Sequence, residues 1–279
     1  MNDSSVAIII PVYNGEKFLK KTIISCLEQT YKNYQIIMVN DFSSDNSSKI
    51  IDEFSNLNNV KVINNTKNLG INKSANIGVK ASDNKYILFL GQDDTLPADY
   101  IENMLKHFKK GVSFTYCNPY VIDQYDNIAG KLKKETEIKK DELKYYMCQE
   151  NQIMSTGIIM LRKLFVSVGM YDERYRHYGE WKLWIKLMKK GKAVYVNNIH
   201  SYYRKHHNNI SNSFESSNNI HTMKELHKYW NECRLDGLKG FKFSMVLKLR
   251  LLIYINSYQL KYKFEELIAV LNIRLKRNV

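Results

Sequence analysis

The stretch Tyr86-Ile87-Leu88-Phe89-Leu90-Gly91-Gln92-Asp93-Asp94 decides how the rest of the chain is read. A short apolar run rich in aromatic and branched side chains reads as a buried strand. Two adjacent carboxylates at its exit repel each other and lose hydration when crowded, and a divalent cation relieves both costs. Proteins hold Mg2+ or Mn2+ with one or two carboxylates plus substrate phosphates. The pair therefore points to a metal–diphosphate site. In isolation it would read more simply as a solvated Asp-Asp turn, so the surrounding pattern has to decide.

Upstream, Val6–Pro11 is a fully apolar strand that ends in proline, and Glu16–Gln29 carries Phe18, Leu19, Ile23, Ile24 and Leu27 at amphipathic-helix spacing. Tyr34–Val39 is a second apolar strand, and Ser44 or Asp45 can cap a helix running to about Phe54. Val60–Asn64 reads as a strand and Lys73–Ala81 as a helix. Strands alternating with helices imply a largely parallel sheet with helices on both faces, and ligands bind such sheets at the carboxyl ends of their strands. Tyr13-Asn14, Asp41 and Asp93-Asp94 all fall just past strand ends, so the fold should gather them on one rim. Downstream, Val112–Cys117, Tyr120–Ile128 (with an Asp-Asn turn), Gly157–Leu161 and Ala193–Asn197 read as strands. Tyr178–Lys190 reads as a helix with Trp181, Trp184, Ile185 and Met188 on one face, and the pattern is helical from about Asn219 to the end.

A chain of 279 residues with 44% hydrophobic content fits one large domain or one domain with an appendage. Cys26, Cys117, Cys148 and Cys233 fit no zinc spacing and read as reduced thiols of a cytosolic protein. The N-terminus lacks the basic region of a signal peptide, and no window reaches the length of a membrane span. The net charge of +14 calls for an anionic partner. From His221 to Val279 the chain carries 12 Lys and Arg against 5 Asp and Glu, which is half of the whole excess.

The motifs Val6-Ala-Ile-Ile-Ile-Pro-Val-Tyr-Asn14, Glu28-Gln-Thr-Tyr31, Ile36-Ile-Met-Val-Asn-Asp41-Phe-Ser-Ser-Asp45, Asn68-Leu-Gly70 with Asn76-Ile-Gly78, and Gly91-Gln-Asp-Asp94 resemble the family 2 inverting glycosyltransferases of GT-A fold. Order and spacing match over roughly residues 5–105, and a weaker match continues to about Ser213. The resemblance implies an α/β fold: a mostly parallel, Rossmann-like sheet flanked by helices, followed by a C-terminal helical extension. It implies a catalytic domain over 1–218, with 1–110 binding the nucleotide sugar and 111–218 the acceptor, and leaves 219–279 as a basic helical tail. Pro11, Tyr13 and Asp41 would hold the base, with Tyr13 stacking on uracil. Asn14, Asn68, Lys73 and Asp93 would line the donor site. Asp94 would be the metal ligand in a site for Mn2+ or Mg2+, with His206 completing the shell and Arg204 pairing with phosphate. The His and Arg come from Tyr202-Tyr-Arg204-Lys-His206-His-Asn-Asn-Ile-Ser211, which could equally be a solvated basic loop.

Inverting transfer needs a base for the acceptor hydroxyl. Gly179-Glu180-Trp181-Lys182-Leu183-Trp184 matches the family segment that carries it, and places Glu180 where Asp is usual. Glu180 can also be read as a first-turn residue favoured by the helix dipole, with Asp172 and Glu173 as alternative bases. Further departures are Asn40 and Gly91, each where an Asp is commoner.

In the tail, Phe241, Phe243, Met245, Val246, Leu249, Leu252, Ile253 and Tyr254 interleave with Lys239, Lys242, Lys248 and Arg250. Such a helix either lies on an anionic membrane or packs on the domain. The resulting expectation is transfer of a hexose or N-acetylhexosamine from a UDP-sugar to a saccharide acceptor, possibly undecaprenyl-diphosphate-linked, in bacterial surface-glycan assembly. The enzyme would work at the cytoplasmic face of the plasma membrane. Nucleic-acid binding, suggested by charge, has no motif behind it. A dinucleotide oxidoreductase would need a Gly-rich first turn where Pro-Val-Tyr-Asn stands. An inactive scaffold of the same family is the remaining alternative.

Overall fold

The structure, a computed structural model, describes residues 4–131, 142–175, 179–207, 209 and 220–277. It forms two compact units: Met1–Thr136 with Ile153–His206, and Glu137–Gln152 with His207–Val279.

The first unit is built on a seven-stranded sheet of order β3-β2-β1-β4-β8-β5-β9. Its strands are β1 (Val6–Val12), β2 (Tyr34–Asn40), β3 (Val60–Asn64), β4 (Tyr86–Phe89), β5 (Val112–Tyr116), β8 (Ile159–Leu161) and β9 (Lys192–Tyr195). Pairing is parallel except at β8, which runs antiparallel to β4 and β5. This is the mostly parallel sheet the alternation implies. Helices α1 (Leu19–Leu27), α2 (Ser47–Phe54), α3 (Ile71–Lys80), α4 (Tyr100–Leu105), α6 (Arg162–Ser167) and α7 (Glu180–Lys190) connect the strands.

The unbroken apolar runs are explained by burial on both faces. Ala7 and Ile9 point to one face and Ile8 and Ile10 to the other, and all four are inaccessible to solvent. Burying each isoleucine contributes about 1.5–3 kcal/mol. Helix α3 rides close to β1 and β2 because Gly78 faces them: a Cβ there would lie 2.7 Å from Ile9 Cγ2.

Element boundaries differ from the sequence reading by a few residues. The helix expected over Glu16–Gln29 begins at Leu19, because Phe18 and Leu19 N–H both bond the Gly15 carbonyl in a preceding turn. The helix expected from Tyr178 starts at Glu180, and Tyr178 itself lies outside the described residues, as does the expected domain boundary near residue 218. Tyr120–Ile128 resolves into a hairpin of β6 (Tyr120–Ile122) and β7 (Ile128–Lys131). Its turn is held by Asp123 Oδ1, which accepts the N–H groups of Tyr125 and Asn127. Helices α4 and α6 and strand β10 (Tyr202–Arg204) have no counterpart in the sequence reading, being too short for periodicity to show. Strand β10 pairs in parallel with β6 in a second, three-stranded sheet.

The second unit comprises α5 (Leu143–Met147), α8 (Ile220–Gly240) and α9 (Met245–Arg277). Arg234, 3% exposed, donates from Nε to the Gln149 carbonyl at 2.8 Å and lies 3.7 Å over the Tyr258 ring. The tail's apolar residues divide in two. Phe241, Leu251 and Ile255 are buried, whereas Met245, Val246, Leu249, Leu252 and Ile253 are exposed. No helix among the described residues is long and apolar enough to cross a membrane.

Candidate active site

Strand register assembles the site. β1 pairs with β2 so that Val12 lies opposite Asn40, and with β4 so that Ile9 lies opposite Phe89. Tyr13, Asp41 and Gly91–Asp94 therefore leave the sheet on one rim, at the point where strand order reverses around β1. Gln92 spans the gap between β1 and β4. Its side-chain oxygen accepts the Tyr13 N–H at 2.8 Å, and its amide donates to the Tyr13 carbonyl at 3.0 Å.

Gly91 has a steric reason to replace the commoner Asp. A Cβ there would lie 2.9 Å from both Asp93 Oδ1 and Asp94 Oδ2. One oxygen of each carboxylate thus converges on the space the missing side chain leaves. Asp94, the expected metal ligand, sits deeper than that role suggests and is 3% exposed. Its Oδ1 accepts the Arg204 backbone N–H at 3.0 Å, and its Oδ2 accepts the Thr156 hydroxyl at 2.8 Å. Burial, and next the charge of Asp93, push its carboxyl up to about 8. Asp93 is nearer solvent, with Oδ2 2.9 Å from His206 Nε2. The His206 ring packs on Phe18 at 4.9 Å between centroids.

Among the described residues, no group of three or more His, Cys, Asp or Glu side chains is arranged to hold a metal ion unaided. Two carboxylate oxygens facing one space, with an imidazole beside them, suit Mn2+ or Mg2+ whose other positions go to phosphate oxygens and water. The donor set therefore fits such an ion, with Asp93 and His206 on the solvent side and Asp94 behind.

Arg204 corrects the expectation of a phosphate partner. It is fully buried. Its Nε donates to the Asp93 carbonyl and its NH1 to the Asp123 carbonyl, both at 2.9 Å, and NH1 lies 2.6 Å from Asp126 Oδ1. The guanidinium also lies 4.7 Å over the Phe18 ring. It braces the Asp93–Asp94 turn against the β6–β7 hairpin. The antiparallel bridge between Thr95 and Tyr202 brings it there.

Asp41 is 2% exposed and organises the neighbouring loop. Its Oδ1 accepts Asn65 Nδ2 and the Leu69 N–H, and its Oδ2 accepts the Gly70 N–H, all at 2.8 Å. With two lone pairs per oxygen, Oδ2 retains capacity for one more donor. Tyr13 is 48% exposed and free to present its ring. Pro11 stays within β1, opposite Val39. Asn14, expected at the donor, is engaged with the opposite loop: its N–H bonds Ser43 Oγ, and its Oδ1 accepts the Ser44 N–H. Asn68 leads into the Leu69–Gly70 amides that bind Asp41. Lys73, expected at the donor, lies 3.6 Å from Glu173.

Glu180 opens α7, where its Oε2 accepts the Gly179 N–H at 3.1 Å. Burial raises its pKa above the usual carboxylate value, against the lowering effect of those backbone N–H groups. The Tyr171 hydroxyl, buried and facing the Glu180 charge, is raised well above its ordinary value. Two asparagines on α3 hold the segment before Glu180. Asn76 exchanges hydrogen bonds with the backbone of Tyr171, at 2.9 and 3.1 Å, and Asn72 donates to the Tyr175 carbonyl. Asp172, one of the alternative bases, is bound by Arg174 on both oxygens and kept below its usual pKa by it. Glu173 pairs with Lys73 and Asn76. Asp172 lacks the raised carboxyl of Glu180. The sequence reading missed Gln92, Thr156, Asn72 and Asn76. Of these, Asn76 and Gln92 had a signal, since they stand in the Asn-Ile-Gly and Gly-Gln-Asp-Asp motifs.

A parallel sheet with an acidic turn at its switch point is the GT-A arrangement, and sequence comparison agrees. The profile of "Glycosyl transferase family 2" matches residues 7–168, and the chain belongs to this family. It is 30% identical over 238 residues, 84% of its length and 88% of the relative's, to the "UDP-Glc:alpha-D-GlcNAc-diphosphoundecaprenol beta-1,3-glucosyltransferase WfaP" of Escherichia coli. It is 30% identical over 189 residues to "Uncharacterized glycosyltransferase RP339" of Rickettsia prowazekii, covering 66% of this chain and 58% of that one. Among solved structures, S. aureus TarS in complex with UDP-GlcNAc superposes with a TM-score of 0.69 at 15% identity, over 89% of this chain and 70% of the other. GalNAc-T7 with UDP, GalNAc and Mn2+ superposes with a TM-score of 0.58 at 16% identity, over 73% and 44%.

Proposed function

We propose that the chain moves a hexose or N-acetylhexosamine from a nucleotide-diphosphate sugar, a UDP-sugar, to a saccharide hydroxyl by single displacement with inversion. The observation that carries this reading is the convergence of Asp93 Oδ1 and Asp94 Oδ2 beside Gly91, on the rim that also holds Tyr13 and Asp41. Tyr13 stacks on the base, and Asp41 Oδ2 accepts a base N–H. Asp93 and His206, backed by Asp94, would hold Mn2+ or Mg2+, and such an ion when bound would supply positive charge for the diphosphate leaving group. Glu180 removes the proton as the acceptor oxygen bonds to the sugar's anomeric carbon. The bond from that carbon to the phosphate oxygen breaks, and its electron pair leaves with the nucleoside diphosphate. Burial makes Glu180 a stronger base than an exposed carboxylate.

The glucosyl transfer from UDP-Glc by which WfaP is named and the UDP-GlcNAc bound to TarS favour a uridine donor, and WfaP favours a lipid-linked acceptor. A thermal-shift screen of nucleotide sugars with and without Mn2+ tests the donor. A ligand at 100 times its Kd stabilises the folded state by about 2.7 kcal/mol. A Mn2+-dependent rise with UDP-sugars is expected, and no rise with any nucleotide sugar would overturn the reading.

A lipid-linked acceptor places the enzyme at the cytoplasmic face of the plasma membrane. The exposed Met245, Val246, Leu249, Leu252 and Ile253, with Lys248 and Arg250 among them, give the second unit an apolar surface with a basic border. Each basic residue near an anionic surface contributes about 1 kcal/mol, screened by salt. Co-sedimentation with anionic vesicles at low salt is expected, weakening at high salt and in a Leu249→Glu/Ile253→Glu variant. Equal binding to neutral vesicles would overturn the role of the basic border, and no binding at all would leave these residues without a lipid role.

A further inference from the structure

Phe42 follows Asp41 at the end of β2 and adopts a left-handed backbone, with φ 65°. For a bulky residue this conformation is costly, and glycine adopts it freely. The ring is not compensated by burial, because Phe42 is 59% exposed. Nor can the backbone relax, since hydrogen bonds hold it on both sides. The Asp41 N–H bonds the Val12 carbonyl at 2.7 Å. The Ser43 N–H bonds Asn40 Oδ1 at 3.1 Å, and Ser43 Oγ accepts the Asn14 N–H at 3.1 Å. The fold thus sustains a strained, exposed aromatic residue at the same rim as Tyr13, which is 48% exposed at the adjoining strand end.

Strain retained in an exposed side chain beside Tyr13 and Asp41 is a reason to look for a role of that side chain at this rim. We propose that Phe42 is a donor-binding residue whose ring covers the second face of the nucleobase, opposite Tyr13, and so discriminates for planar aromatic bases. Parallel neighbours in a sheet lie about 4.8 Å apart, and a ring contacted on both faces needs about 7–8 Å between its flanking planes, a gap that side chains splaying from just past the ends of β1 and β2 can open. Offset aromatic contact on both faces, with the Asp41 carboxylate at the edge, would give a closed slot for a nucleoside diphosphate. The inference rests on the donor reading above and adds the residue that shapes its base pocket.

Isothermal titration of UDP with Mn2+ against the full-length chain and three variants tests it. Base–aromatic stacking losses correspond to about 5–100-fold in affinity. Phe42→Tyr keeps a ring and is expected to bind as the wild type does. Phe42→Leu keeps the backbone cost and the bulk but loses the ring, so it is expected to weaken binding by that factor. Phe42→Gly is expected to weaken binding similarly while its melting temperature does not fall, because the left-handed cost is gone. Wild-type affinity in Phe42→Leu and Phe42→Gly would overturn this inference alone. Failure of the wild-type chain to bind UDP would overturn the donor reading, and this inference with it.

Discussion

Asp93→Asn is expected to weaken Mn2+-dependent UDP binding by about 100-fold or more, on the scale of the 2–5 kcal/mol lost when one partner of a buried charge pair is neutralised. The reason is depth. Asp93 and His206 form the solvent-side edge of the acidic site, whereas Asp94 lies behind and is tied to Arg204 and Thr156. Asn keeps the volume of Asp and removes only its charge, so the variant should fold normally. Asp94→Asn should behave differently. Its amide would turn an N–H2 group toward one of two donors, at a cost of about 1–3 kcal/mol in stability as well as affinity. Calorimetry with UDP and Mn2+, paired with urea denaturation, separates the two. Asp93→Asn binding UDP in the presence of Mn2+ as tightly as the wild type would remove the basis for a metal site here.

Glu180→Gln is expected to lower turnover by about 10²–10⁴-fold, the range for a positioned base, with donor affinity unchanged. The pH dependence carries a sign that distinguishes this role from a merely structural one. Only ionised Glu180 can accept the proton, so kcat/KM should rise with pH through the raised pKa of the folded protein. Its acidic limb should lie above the ordinary glutamate value near 4.3. Stability runs the other way. The folded state holds this proton more tightly than the unfolded chain, so Glu180 favours folding below its unfolded pKa and loses that contribution as pH rises through the folded one. Gln cannot ionise, so the variant should be at least as stable as the wild type at neutral pH. Near-normal turnover in Glu180→Gln, together with inactivity of Asp172→Asn, would move the base to Asp172.

The acidic turn and the helix carrying Glu180 were both legible in the residues, but their surroundings were not. Val6–Val12, Tyr34–Asn40 and Tyr86–Phe89 announced themselves because strands buried on both faces must be apolar throughout, which a linear sequence displays directly. Once those strands are parallel neighbours, Tyr13, Asp41 and Asp93 have to share a rim, so the constituents of the site followed from the order of elements alone. Local rules also set the turn at Asp123, because an Asx turn involves only residues a few positions apart.

Depth and partnership were decided by tertiary structure. Arg204 reads as a phosphate partner or a solvated basic residue in Tyr-Tyr-Arg-Lys-His-His, yet it is fully enclosed. Strand β10 pairs with β6 and bridges Thr95, and Asp126 and the backbone of Asp93 and Asp123 surround the guanidinium. Those partners lie roughly 80 to 110 residues away in sequence, and no periodicity links them. The relative depths of Asp93 and Asp94 escaped the sequence for the same reason, since neighbours with identical side chains differ only in what the distant chain brings against them. Phe42 is the sharpest case. Its letter says nothing of a left-handed backbone, which is held by the Asn14 N–H bonding Ser43 Oγ from the facing loop and by Asn40 Oδ1 accepting the Ser43 N–H within its own. The sequence by itself determined which strands are buried and which residues stand at their ends. Only the folded chain determined which carboxylates meet solvent, which cation is enclosed and which backbone is strained, because burial and strain are properties of contacts between segments remote along the chain.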